Sequence, residues 1–334
     1  MSAPRWGKFA FVVAILPSLA GAQSSTATLV GTVRDSSGAV VAGVSIQIRN
    51  SSTDGHRETA TTAAGDFTVP ELPPGIYELT ARKDGFRALR ETDIELQIDQ
   101  MARLDLKMEL GAVSESVEVM AYAPLLNTEN AVKGDVLVSS QVIEMPLNGR
   151  DFSDLALLVP SVLPRAQGGM GSAFNINGAR ADNTNFVIDG FNDQNPRGAA
   201  AQARPNLDAL EEFKMQTSNY SAETGRLAGG VMNMVLKSGS NRFHGVLFEF
   251  IRNNIFDARN FFDAGQEPLH RNQFGGTVSG PVTIPHIYNG HDRTFFLFSW
   301  ESYRQTQGDS RLSHLPSAAE RSGGCTGRRL PSRR

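Results

Sequence analysis

From residue 27 to residue 110 apolar and polar side chains alternate in short runs, each closed by a turn signal, and nothing else in the chain restricts its fold as much. A period of two sends successive side chains to opposite faces of an extended strand, so each run buries one face and wets the other. Val44, Ile46 and Ile48 alternate with Ser45, Gln47 and Arg49; Ile94, Leu96 and Ile98 with Glu95, Gln97 and Asp99; Leu104, Leu106 and Met108 with Asp105, Lys107 and Glu109. Between the runs stand Asp35-Ser36-Ser37-Gly38, Thr53-Asp54-Gly55, Ala64-Gly65-Asp66, Pro73-Pro74-Gly75 and Lys83-Asp84-Gly85. Their glycines permit positive φ, and their aspartates bond their own backbone. Turns at this spacing predict a β-sandwich of about seven strands.

Charge and composition exclude several functions. The 334 residues carry 32 Lys+Arg against 35 Asp+Glu, a net charge of -3, which gives no electrostatic case for a nucleic-acid partner. Cys325 is the single cysteine, so a disulfide, a thiolate zinc site and a catalytic thiol are not expected upstream of it. The histidines (His56, His244, His270, His286, His291, His314) are scattered without metal-ligand spacing, and neither His-Glu-x-x-His nor Gly-x-Ser-x-Gly occurs. Gly168, Gly169 and Gly171 match neither a phosphate-cradling loop nor a dinucleotide turn. The acids between Asp182 and Asp193 lack EF-hand spacing and read as solvated turns. No enzyme, cofactor or metal site is expected.

Arg5 and Lys8 precede an apolar run from Phe9 to Leu19, and Ala20-Gly21-Ala22 supplies a small-x-small pattern before Gln23. This is the pattern of an export signal over residues 1–22; the run is shorter than the roughly 20 residues that a spanning helix needs. Soluble, surface-attached and β-barrel membrane states all stay open.

Beyond the sandwich, Glu115-Ser116-Val117-Glu118-Val119-Met120-Ala121 reads as a linker with β propensity. Mixed α and β structure follows. Ser139-Ser140 caps a short helix through Val142 and Ile143 that stops before Pro146, and a second helix spans Arg150 to Val159 with Leu155, Leu158 and Val159 clustered. The Gly- and Asn-rich stretch from Gln167 to Asn195 reads as loops, with a brief strand Phe186-Val187-Ile188 before the turn Asp189-Gly190.

Two resemblances now become specific. Gly31-Thr32-Val33-Arg34-Asp35, Gly38, Val44, Ala64-Gly65-Asp66-Phe67, Leu72-Pro73-Pro74-Gly75-Ile76-Tyr77 and Gly85-Phe86 resemble the carboxypeptidase regulatory-like domain, a transthyretin-like sandwich. Asn177-Gly178-x-Arg180, Phe186-x-Ile188-Asp189-Gly190, Glu211-Glu212-Phe213-Lys214, Glu223-x-Gly225-Arg226, Gly229-Gly230 and Lys237-Ser238-Gly239-Ser240-Asn241 resemble the plug domain of TonB-dependent outer-membrane receptors, in particular the Oar-like branch. The match continues through Arg252-Asn253, Asp257-Ala258-Arg259-Asn260 and Arg271-Asn272-Gln273-Phe274-Gly275-Gly276 to Glu301. The resemblance implies a mainly β chain: an export signal (1–22), a regulatory-like sandwich (23–112), a TonB-box-like linker (113–122), an α+β plug (123–241) and the first strands of an antiparallel transmembrane β-barrel (242–316). It implies a TonB-like energy-transducing partner that docks on Glu115 to Ala121, an outer-membrane lipid surround, and a transported ligand such as a siderophore, vitamin, saccharide or peptide. The alternative is a secreted or surface sandwich module that binds carbohydrate or protein without transport.

The barrel start is visible in the residues themselves. Phe296, Phe298 and Trp300 alternate with Leu297, Ser299 and Glu301, and Phe274 and Val278 with Gln273, Gly275, Thr277 and Ser279; Trp300 and Tyr303 suit an interfacial aromatic girdle. Residues beyond Asn241 supply only about four membrane strands, against eight in the smallest closed barrels. Residues 317–334 carry Arg321, Arg328, Arg329, Arg333 and Arg334 against Glu320 and hold the cysteine. They are expected to be an aberrant tail from a frameshift or truncation, in a chain unable to form a pore. The export signal yields the first prediction: mass spectrometry of exported protein finds Gln23 at the mature N-terminus, and a retained Met1 in the envelope fraction refutes it.

Overall fold

The computed structural model describes residues 26–111, 116–120, 131–164, 174–180, 183–195, 200–220, 229–259, 265–308 and 318–321. The expected export signal, Glu115, Ala121, Glu223, Gly225, Arg226 and most of the expected basic tail lie outside them. The chain divides into two compact units, residues 1–247 with 275–301 and residues 248–274 with 302–334.

The alternating region forms β1 (Ala27–Asp35), β2 (Ser45–Asn50), β3 (His56–Ala60), β4 (Asp66–Leu72), β5 (Gly75–Arg82), β6 (Ala88–Leu96), β7 (Met101–Arg103) and β8 (Leu106–Met108). One sheet runs β4-β1-β7 with β8 also on β1, and the other runs β3-β2-β5-β6 and is extended by β9 (Ser116–Met120). Val44, Ile46, Ile48, Ile94, Leu96 and Ile98 are fully buried, as the period of two requires. The run from Leu104 to Met108 keeps the same period, with Asp105 and Lys107 exposed, although its ladder to β1 is interrupted between β7 and β8. Leu104 N–H donates to the Val30 carbonyl, and the Asp105 carboxylate accepts the Thr32 N–H at 2.9 Å. Leu104 is thus only partly buried, whereas Leu106 and Met108 reach the core. Gly31 lies beside this interruption, where an added Cβ would stand 1.9 Å from the Leu104 carbonyl oxygen. Only glycine fits there.

The mixed region begins with β10 (Lys133–Val138) and α1 (Ser139–Glu144). Ser139 is the first residue inside this helix and does not cap it; the Gln141 side chain takes the Val138 N–H instead, at 3.3 Å. The second expected helix is a 3-10 turn over Phe152–Leu158, capped by Asp151, whose carboxylate accepts the Ser153 N–H at 3.0 Å. Leu155 and Val159 are buried, but Leu158, the last residue of the turn before the chain becomes extended at Val159, faces solvent. The Gly- and Asn-rich stretch holds more strand than its composition indicates: β11 (Val162–Pro164) pairs with β12 (Phe174–Ile176), and β13 (Thr184–Ile188) is followed by β14 (Phe191–Asn192). With β15 (Leu210–Ser218) and β16 (Gly230–Leu236) the main sheet runs β10-β15-β16-β13-β14. Its core side carries Phe186, Phe213, Met215, Met232 and Met234. Beside it Arg150 and Asp208, 8% and 3% exposed, form an ion pair at 2.6 Å.

The last strands are β17 (His244–Asn253), β18 (Leu269–Pro281), β19 (Thr283–Ile284), β20 (Tyr288–Asn289) and β21 (Phe295–Gln307), with sheet order β17-β18-β21; α2 (Ala318–Arg321) follows. The polarity here is reversed relative to a soluble sheet. Gln273 and Gly275 are buried, whereas Val278, Phe298 and Trp300 face outward and Leu247 is 91% exposed. Strands with the apolar side out suit a lipid surround. Among the described residues no helix is long and apolar enough to cross a membrane.

The sandwich register gives the second prediction. Ile46→Asp buries an unpaired carboxylate and costs about 3 kcal/mol or more. Gln47→Lys keeps a partner for Glu58, which Gln47 contacts at 3.2 Å, and leaves stability unchanged. Denaturant midpoints of the two variants check this; equal losses mean that the register is wrong.

Candidate partner-docking strand and plug interface

The residues expected to mark the plug collect at two tight turns. Asn177 and Gly178 have φ of 50° and 77°, and Ala179 N–H donates to the Ile176 carbonyl at 2.8 Å. Asp189 and Gly190 have φ of 47° and 82° and join β13 to β14, with Ile188 paired to Phe191. Two consecutive positive φ values define the hairpin turn that Asn-Gly and Asp-Gly favour. The two side chains then tie each turn to a neighbouring strand: Asn177 Nδ2 donates to the Thr217 carbonyl at 2.7 Å, and Asp189 Oδ1 accepts the Leu236 N–H at 3.0 Å. Burial pushes the Asp189 carboxyl above the ordinary range.

These turns lie at opposite ends of the sheet. Thr217 follows Gln216, which pairs with Val231 at the start of β16, whereas Leu236 ends that strand. Lys237 joins the Asp189 end, its N–H donating to the Ala209 carbonyl at 2.8 Å. Ser238 is exposed, and Gly239 is buried where an added Cβ would meet Phe295 and the Gly280 carbonyl at 2.7 and 2.8 Å. Arg180 is exposed. The described motif residues therefore shape the sheet's two ends and do not converge on one site.

A different set converges. Along β15, Phe213 and Met215 point into the plug core, so Glu212, Lys214 and Gln216 share the other face. That face is covered by the turn Ile98-Asp99, which connects β6 to β7 in the sandwich. Glu212 Oε2 accepts the Ile98 N–H at 2.6 Å, and Lys214 Nζ donates to the carbonyls of Ile98 and Asp99 at 2.7 and 3.2 Å. Asp99 has φ of 49°, which turns its carboxylate toward Asn233 Nδ2 at 2.8 Å and Gln216 Nε2 at 3.3 Å. Burial raises the Glu212 carboxyl to about 7 and lowers the Lys214 ammonium. The sandwich is thereby latched to the plug sheet through one turn.

The segment read as a partner-docking linker is a strand. Ser116, Val117, Glu118, Val119 and Met120 form β9, which pairs in parallel with β6: Ala88 opposite Ser116, Leu89 opposite Val117, Arg90 opposite Glu118, Glu91 opposite Val119 and Thr92 opposite Met120. It is the edge strand of the five-stranded sheet.

Comparison with known proteins finds three family models in succession along the chain. The Carboxypeptidase regulatory-like domain matches residues 28–109, the TonB-dependent Receptor Plug Domain 124–231, and the Outer membrane beta barrel domain 235–331. The chain carries, in this order, domains similar to those of a TonB-dependent receptor. It is similar to the TonB-dependent transporter Oar of Myxococcus xanthus, at 28% identity over 283 residues that make up 79% of this chain and 26% of that relative. This receptor chain thus spans about a quarter of the length of the curated relative it matches. Among solved structures it is similar to the siderophore receptor PirA of Acinetobacter baumannii (21% identity, TM-score 0.32). It is also similar to a mutant of the ferric enterobactin receptor PfeA of Pseudomonas aeruginosa (18% identity, TM-score 0.34). Each of these two matches covers 45% of this chain and 22% of the other.

The latch between the receptor's sandwich and plug is what the sequence reading missed. Glu212 and Lys214 appear there only as part of a plug motif, and Asp99, Gln216 and Asn233 have no assigned role beyond the strand pattern. The available signal was two opposite charges and an amide at alternate positions of one strand, which reads as a wetted face until another domain covers it.

The latch generates a pH prediction. Glu212 holds its proton to about 7 when folded, against 4.5 ordinarily, so the folded receptor binds a proton that the unfolded chain has released. Stability contributed at this site is therefore present below about pH 4.5 and is lost as the pH rises to about 7, on the order of 2–3 kcal/mol in all. Glu212→Gln keeps an acceptor for the Ile98 N–H and removes the titration. Thermal melting at about pH 5 and about pH 7.5 checks it: the difference between the two shrinks in the variant, and an unchanged difference refutes the assignment.

Proposed function

We propose that this chain is the exported N-terminal part of an outer-membrane receptor that takes up a ligand through a plugged β-barrel, energised by a TonB-like protein reaching across the periplasm, and that it catalyses no reaction. The observation that carries this reading is the succession of sandwich, short edge strand, plug and apolar-out strands. A secreted sandwich module has no need of strands that present Leu247, Phe298 and Trp300 outward. The plug blocks the channel, and ligand choice falls to barrel loops.

In this reading Glu115 to Ala121 is the docking segment, and Ser116 to Met120 donates backbone hydrogen bonds to the edge of the partner's sheet. Main-chain pairing is tolerant of side chains, so recognition rests on an extended backbone placed just before the plug. Alternate residues of a strand direct their N–H groups to opposite edges. Replacing Val117 and Val119 by proline therefore affects one edge only, whereas Val117→Pro combined with Glu118→Pro removes an N–H from each.

The test is binding of the full chain, in detergent, to the periplasmic domain of a TonB-like protein. The Val117→Pro, Glu118→Pro variant is expected to bind at least tenfold more weakly than the parent, with Gln47→Lys as an unaffected control. Undiminished binding refutes the docking role.

A further inference from the structure

We propose that the connection between β18 and β21 is a membrane-surface anchor: its small hairpin, β19 with β20, sets the side chains of Ile284, Ile287 and Tyr288 into the phospholipid headgroup layer at the end of the strands where the plug joins them. This rests on the outer-membrane reading made above and adds to it a lipid contact made outside the spanning strands.

The connection is longer and more structured than joining two strands requires. Two residues suffice to link neighbouring antiparallel strands, and turns on the periplasmic side of a barrel are short. Here residues 282–294 intervene, and they form a ladder of their own, with Thr283 opposite Asn289 and Ile284 opposite Tyr288. Ile287 N–H closes the tip on the Ile284 carbonyl at 3.1 Å, across Pro285 and His286, the latter with φ of 61°. At the base Val282 N–H donates to the Thr294 carbonyl at 2.9 Å, and Gly290 N–H to the Val282 carbonyl at 3.0 Å. The hydroxyls of Tyr288 and Thr294 are bonded to each other. A two-stranded hairpin this short does not hold itself together in water, so these base contacts keep it in shape.

What the hairpin presents is apolar. Ile284, Ile287 and Tyr288 are all exposed, Ile287 at 81%, and Ile284 and Tyr288 stand side by side because they are paired. One exposed isoleucine is ordinary; three large apolar side chains on one tip, bordered by polar residues, mark a surface that meets lipid or protein. Position decides for lipid. Val278 and Phe298, on the strands that lead into the connection, already face outward, so the tip begins where their apolar band ends. Its composition is that of a bilayer boundary: a tyrosine, whose ring and hydroxyl suit the headgroup level, with exposed His286, His291 and Arg293 beside it. The acid of this group, Asp292, accepts from Asn241 Nδ2. The tip is thus apolar with a basic border, as an interfacial segment on phospholipid requires.

The same contacts place the hairpin beside the exit of the plug. Asn241 Oδ1 accepts the Asp292 N–H at 2.9 Å, and Gly239 lies against Phe295 and the Gly280 carbonyl. Asn241 N–H in turn donates to the Ser52 carbonyl, in the turn between β2 and β3 of the sandwich, at 3.2 Å. A tip held in the headgroup layer thereby fixes the distance of the plug exit and of this sandwich turn from the membrane surface.

Spin labels on the full chain, reconstituted in vesicles of phosphatidylcholine and phosphatidylglycerol, test the anchor. In a Cys325→Ser background, Ile284→Cys and Ile287→Cys carry the label in turn; both side chains are exposed, so the label disturbs no core. Glu58→Cys, on an exposed strand of the sandwich, is the aqueous reference, and Phe298→Cys is the lipid reference. Collision with a water-soluble nickel chelate is expected to be at least tenfold lower at the two tip labels than at the Glu58 label, and collision with oxygen, which concentrates in lipid, to be higher. Chelate collision at the tip equal to that at the Glu58 label overturns the anchor, because the tip then stands in water. Low collision with both reagents, the mark of a protein contact, overturns it as well. The Phe298 label separates the two ideas. If it too reports water, the outer-membrane reading fails and takes the anchor with it; if it reports lipid while the tip reports water or protein, the anchor alone is wrong.

Discussion

The turn at Ile98 and Asp99 is the point on which the larger unit depends. It joins the two sheets of the sandwich and at the same time supplies the donors and acceptors that satisfy a polar face of the plug sheet. Glu212, Lys214, Gln216 and Asn233 are all buried, and without the turn each would face either water or an unsatisfied contact. The left-handed conformation of Asp99 makes this possible, because it sends the carboxylate toward the plug while both neighbouring carbonyls point at Lys214. Aspartate is among the few side chains that tolerate that region. A backbone constraint at one residue thus sets how the two domains meet.

Sheet edges impose the next constraint. In the five-stranded sheet of the sandwich, β3 stands at one boundary and β9 at the other, so the strand nearest the plug in sequence is spent on closing an edge of the preceding domain. In the plug, β10 and β14 take the boundary positions on either side of β15, β16 and β13. The last strands solve a different problem, since β18 buries Gln273 and Gly275 while exposing Val278, and β17 and β21 expose Leu247, Phe298 and Trp300. The same alternation serves two solvents, and only the sense of the pattern distinguishes them.

Much of this was legible in the residues. Ile46, Ile48, Ile94 and Leu96 carry the sandwich core because a period of two has one reading once turns bracket it, and Asn177-Gly178 and Asp189-Gly190 announce tight turns through the φ values they tolerate. What escaped depends on tertiary context. Phe174–Ile176 and Phe191–Asn192 are too short to show periodicity, and glycine-rich surroundings read as loop until a neighbouring strand pairs with them. Leu158 was clustered with Leu155 and Val159 by helical spacing but lies outside, at the end of the turn where the chain becomes extended. Glu212 and Lys214 look like a wetted strand face, which they would be in an isolated plug. The extended character of Ser116 to Met120 was legible, but its partner was not, since a parallel partner 28 residues earlier in the chain leaves no local signature.

The ladder to β9 and the latch to the plug differ in how they yield to force, and this orders events if β9 is pulled. The ladder between β9 and β6 opens from one end, rung by rung, and each backbone bond carries a net of about 0.5–1.5 kcal/mol. The latch has no such sequence of small steps. The N–H and carbonyl of Ile98, the carbonyl of Asp99 and its carboxylate all meet the plug within one turn, so parting them means breaking these bonds together. A partial opening is worse than none, because it leaves Glu212 or Lys214 buried without its partner, at about 3–5 kcal/mol for a charged group. Pulling on β9 therefore strips it from β6 while the sandwich stays on the plug.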